Sequence, residues 1–73
     1  MEQFIRNFAN MLEDTDVSEI NADTEFQDLD EWSSLMTMST IAMVRTQYGK
    51  AITGKEIRSC ETIASLYNLI MEK

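Results

Sequence analysis

The stretch Phe26-Gln27-Asp28-Leu29-Asp30-Glu31-Trp32-Ser33-Ser34-Leu35 decides how the rest of this 73-residue chain is read. The three acids among residues 28–31 belong on a solvated loop, because an unpaired carboxylate is costly to bury. The adjacent serines that follow stand where a long apolar-patterned segment begins. Serine is favoured at a helix start because its hydroxyl can accept a hydrogen bond from a free first-turn amide. The pattern predicts an acidic loop that becomes a helix at Ser33-Ser34 and runs to about Tyr48, with Gly49 offering a C-terminal stop.

Upstream, Phe4, Phe8, Met11 and Leu12, with Ile5 beside them, recur at helical spacing, so an amphipathic helix is expected over about 2–13. Residues 14–33 are mostly acids, Ser, Thr and Asn. They read as a long loop pinned to a core at Val17, Ile20, Phe26, Leu29 and Trp32. A loop of about twenty residues in a small domain calls for a functional reason or a short helical turn within it. Downstream, Thr53 followed three residues later by Glu56 fits a capping box and predicts a short helix over about 54–59. Thr62 then caps a last helix whose apolar face is Ile63, Leu66, Tyr67, Leu69 and Ile70. Proline is absent and there are only two glycines, a composition that suits helices. The expectation is one all-α domain spanning residues 1–73.

The formal charge of −7 argues against nucleic acid, whose phosphates require clustered Lys and Arg. Charge is also unevenly placed. Residues 1–31 hold ten acids against Arg6, a net of −9, and residues 32–73 hold three acids and five bases, a net of +2. This segregation reads either as solvated surface or as a steering field for partner docking. No apolar run approaches the ~20 residues that span a bilayer, and the start Met1-Glu2-Gln3 lacks a basic secretory leader, so a cytoplasmic protein without membrane attachment is expected. With no histidine, no phosphate-cradling glycine loop and a single cysteine, Cys60, the common catalytic and metal-binding constellations are missing. Cys60 is expected to be a small core residue. The carboxylates Asp28, Asp30 and Glu31 read as solvated rather than as an acid/base pair.

The Trp32-Ser33-Ser34-Leu35 sequence resembles the Trp-Asp-Ser-Leu variant of the acyl carrier protein motif, in which a Phe and then a Leu lead to an Asp-Ser-Leu triplet at the start of the second helix. Ile20-Asn21-Ala22-Asp23-Thr24-Glu25-Phe26 is similar to that family's Asp-Thr-x-Phe loop, and Thr62-Ile63 to the start of its last helix. The match runs over nearly the whole chain. It implies a four-helix up-down bundle of acyl-carrier type with a long first loop and a short third helix. It further implies a 4'-phosphopantetheine arm attached covalently to Ser34, installed by a phosphopantetheinyl transferase. The protein would then be a free-standing, monomeric, non-enzymatic carrier of acyl thioesters, with partners such as an acyl ligase, ketosynthase or acyltransferase. A serine in a first helical turn also lies beside free N–H groups and the positive end of the helix dipole, a setting that suits an attached phosphate. Both serines could equally act as ordinary caps, worth about 1 kcal/mol. For Ser33, which stands where the family has Asp, capping is the expected role.

At about 100° per residue, Leu35, Met38, Ile41, Ala42 and Val44 with Tyr48 occupy one broad side of the second helix, and Met36 and Met43 fall together on the other. Met36 and Met43 are therefore expected to be exposed, and with the loop acids Asp30 and Glu31 to form a partner-docking face that is mostly neutral along the helix. Met38, Ile41, Ile57, Cys60 and Leu66 suit either the walls of a cargo channel or plain core. Trp32 is expected to anchor the loop, and Lys50, Lys55 and Arg58 form a small basic cluster of open purpose. A peptidyl or aminoacyl carrier, and a small acidic helical adaptor that never receives the cofactor, are the alternative readings.

Overall fold

The computed structural model describes residues 1–73 as four α-helices and no strands: α1 (Glu2–Met11), α2 (Ser34–Tyr48), α3 (Gly54–Arg58) and α4 (Ile63–Glu72). The first loop contains two single turns of 3-10 helix, Val17–Glu19 and Phe26–Asp28. The local signals explain most of these limits. Thr53 accepts a hydrogen bond from the Glu56 amide (3.1 Å) and Glu56 returns one from the Thr53 amide (3.0 Å), closing the capping box that starts α3. Thr62 caps α4 through the Ser65 amide (3.1 Å). At the end of α2, Gly49 takes the left-handed conformation (φ 65°) that favours glycine, and its N–H closes on the Arg45 carbonyl at 3.1 Å.

The long loop is a brace rather than a simple connection. The Ala22 and Thr24 carbonyls accept from the Ala64 and Ile63 amides (2.9 and 3.1 Å), satisfying two donors that the start of α4 would otherwise leave open. Gln27 donates its side-chain amide to the Cys60 and Arg58 carbonyls (2.6 and 3.2 Å), closing the far end of α3. One end of the loop is held by Glu31, whose carboxylate accepts from the Glu13 and Asp14 amides (2.8 and 3.0 Å) and from the Thr15 hydroxyl. This explains why α1 stops at Met11 instead of reaching residue 13. The next amides turn to Glu31, and Leu12 adopts an extended backbone that sends its side chain inward.

Apolar side chains close the interior. Phe4, Phe8, Phe26, Val44, Ile57, Ile63, Leu66 and Ile70 are fully buried, and Cys60 is buried among them as expected. The Trp32 ring stacks on Phe8 (centroids 5.9 Å, 7° between planes) and meets Phe26 edge-on at 4.9 Å. The anchoring expected of Trp32 is thus observed. A chain of 73 residues has about 4–11 kcal/mol of stability in total. Deleting one buried ring costs about 3–5 kcal/mol, so these few aromatics decide whether the chain folds.

The Thr15 hydroxyl, then the Asp14 amide, hold the Glu31 carboxyl below its ordinary range. A carboxylate whose pKa is depressed on folding contributes stability that is present above its unfolded pKa and lost as pH falls through the folded one. Glu31→Gln should therefore lower the urea midpoint at pH 7, and the difference from the parent chain should shrink as acid takes the pH below the ordinary carboxylate range and the lowered Glu31 carboxyl is itself protonated. A pH-independent difference would show that the charge is not what holds the loop.

Candidate functional site: Ser34 and the groove between the second and third helices

Ser33 precedes α2 with extended backbone (φ −155°, ψ 177°), and its carbonyl accepts the Thr37 amide at 3.1 Å. Its hydroxyl makes no capping bond, which corrects the expected side-chain cap. The Ser33 side chain is exposed and free to be hydrated instead. Consequently the Ser34, Leu35 and Met36 amides have no protein acceptor. Ser34 itself is exposed and is the first residue of the helix, at the positive end of α2 where these three donors lie.

Ser34 lies on the rim of a surface groove of about 430 Å³. Thr37, Met38 and Ile41 of α2 line one side, Gly54 and Arg58 of α3 the other, and Trp32 the loop end. The long loop places both walls: Trp32 packs into the aromatic core, and Gln27 ties down the end of α3 that carries Arg58. Of the five candidate channel walls, Met38 and Ile41 line this groove, and Ile57, Cys60 and Leu66 are core residues.

The face of α2 differs from its sequence reading. Met36 is buried (9% exposed) and Met43 is half-buried against the core, so neither is the exposed methionine expected. Leu35 (71%) and Met38 (68%) are the exposed apolar side chains instead. The inward stripe is Met36, Thr40 and Val44, at a spacing of four. Thr40 is fully buried because its hydroxyl donates to the Met36 carbonyl at 2.8 Å, which removes the cost of hiding it. A hydrophobicity pattern counts Thr40 as polar and so rotates the helix the wrong way. Glu31, expected on the docking face, is half-buried with its carboxylate engaged by the loop just after α1, whereas Asp30 is exposed.

Of the basic cluster, Arg58 alone lines the groove. Neither its place there nor the bracing by Gln27 follows from the sequence pattern. The capping box at Thr53 was the available signal: once α3 starts at residue 54, Gly54 and Arg58 are four apart and share a face. Cys60 donates its thiol to the Glu56 carbonyl at 3.4 Å, and burial pushes its pKa up, so it is poorly suited to act as a nucleophile.

The family described as "Phosphopantetheine attachment site" matches residues 3–70, and the chain belongs to it. Domains of this family are sites of covalent 4'-phosphopantetheine attachment, typically non-catalytic, and they meet a phosphopantetheinyl transferase and biosynthetic enzymes. The all-helical fold agrees with an acyl-carrier type of bundle, and the chain is a phosphopantetheine-carrying carrier protein. Neither the curated proteins nor the solved structures give a match. No helix is long and apolar enough to cross a membrane. Residues at the start of α2 fit the cofactor's phosphate, for they offer an exposed hydroxyl, three open amides and a helix N-terminus without a neighbouring carboxylate in its first turn.

The two sides of α2 should respond oppositely to charge. Met36→Glu is expected to destabilise the fold by about 2 kcal/mol or more, because the carboxylate would be buried without a partner. Met38→Glu should stay within about 0.5 kcal/mol of the parent chain. Equal urea midpoints for the two variants would contradict the orientation of α2.

Proposed function

We propose that Ser34 is the residue that bears the 4'-phosphopantetheine arm, and that this chain carries acyl intermediates for a dedicated set of biosynthetic enzymes. The observation that carries the assignment is an exposed serine as the first residue of α2, where three backbone amides are unpaired. The arm supplies a terminal thiol on which cargo is held as a thioester. The protein's own task is to fix the attachment point, surround the phosphate with donors and present a surface that enzymes can bind.

The presenting surface in this reading is Leu35 and Met38, with Asp30 at the loop end. No acidic residue occurs in α2, and Arg45 adds a positive charge near its end. A partner that meets this helix needs an apolar recess more than a basic patch, which favours a specialised pathway over general fatty acid synthesis. The same acid-free helix also favours a second reading, a peptidyl or aminoacyl carrier loaded by an amino-acid-activating enzyme.

Intact-protein mass tests the attachment site. Coexpression with a broad-range phosphopantetheinyl transferase should add one arm to the parent chain and to Ser33→Ala, and none to folded Ser34→Ala. An arm on Ser34→Ala would overturn the assignment. For the docking surface, Leu35→Glu and Met38→Glu should each slow loading by the cognate ligase or synthase by about tenfold, a loss of ~1.4 kcal/mol in recognition, with the fold unchanged. Loading at the parent rate would remove these two residues from the interface.

A further inference from the structure

Arg58 has no protein partner in the groove beside Ser34. The molecule's one ion pair joins Lys73 to Glu56 (2.7 Å), and no other charged side chain lines this groove. The position of its guanidinium follows from Gly54. A methyl group built on Gly54 would lie 3.3 Å from an Arg58 terminal nitrogen and 3.6 Å from the Thr37 methyl. Gly54 has no positive φ that would require a glycine, so what its missing side chain provides is space. The guanidinium folds back over α3 into that space and faces α2 across the gap. Gln27 holds the Arg58 carbonyl at 3.2 Å and fixes the base of the side chain. A chain of net charge −7 thus places an unneutralised cation, with its planar set of N–H donors, at the entrance to the groove on whose rim Ser34 lies.

We propose that Arg58 is an anion-binding residue of this groove, receiving either the arm's phosphodiester or a carboxylate on the cargo. The proposal rests on Ser34 being the attachment site. It gives the groove a polar, charge-reading end at Arg58, opposite the apolar wall of Met38 and Ile41, and it draws the arm or its cargo across α3 instead of leaving it free in solvent.

The test is nuclear magnetic resonance of the ¹⁵N-labelled chain in four forms: unmodified, arm-bearing, and arm-bearing with a butyryl or a succinyl group on an amide-linked arm. The Arg58 side-chain Nε–H signal, assigned by its loss in Arg58→Gln, should move when the arm is added, and the arm's ³¹P signal should move in Arg58→Gln if the phosphodiester is the ligand. Movement with succinyl but not with butyryl or the bare arm would identify a cargo carboxylate. Gly54→Ala, which crowds the guanidinium out of its space, should reduce either response in a folded protein. An Arg58 signal that stays in place in all forms, with the arm shown by mass, would overturn the proposal and leave the attachment site intact. A chain that gains no arm would overturn both.

Discussion

The Phe26 ring, packed edge-on against both Phe8 of α1 and the Trp32 indole, is the contact from which the fold is organised. It pins the middle of the first loop to the core, and the loop's polar groups are distributed from that point. Carbonyls at Ala22 and Thr24 go to α4, the Gln27 amide goes to α3, and the Glu31 carboxylate goes to the end of α1. Backbone donors and acceptors withdrawn from water need partners. In a bundle whose third helix is only five residues long, the loop supplies several of them. The segment that looks least regular is therefore the one that ties α1, α3 and α4 together.

That bracing also builds the site. Trp32 enters the core immediately before Ser33, so the chain leaves the loop at a fixed point and α2 starts there with its first amides open. Gln27 sets the end of α3, and with it Arg58, against the same groove. An anion at the head of α2 would meet fixed dipoles and donors without the protein having to rearrange.

The segregation of charge acquires a location in the structure. The acids of residues 1–31 are carried by α1 and the loop, several of them spent on local hydrogen bonds, as Asp16 is on Ser18 and Glu31 on Thr15. The exposed side of α2 is apolar and uncharged up to Arg45. The surroundings of Ser34 are therefore acidic on the loop side, neutral along the helix behind it and cationic across the groove at Arg58.

Four helices, the caps at Thr53 and Thr62, the stop at Gly49 and the serine pair at the head of α2 are all legible in the linear order of residues. Each of these is set by neighbours within about four residues, through capping chemistry, glycine's freedom at positive φ and helical periodicity. Which way α2 faces, what Glu31 and Gln27 hold, and the groove that Arg58 shares with Ser34 emerge only when the helices pack. Those outcomes depend on contacts between residues far apart in the chain. The hydrogen bond that lets Thr40 take a core position is formed within α2, but whether that face turns inward is settled by what packs against it, and helical periodicity alone carries no such information.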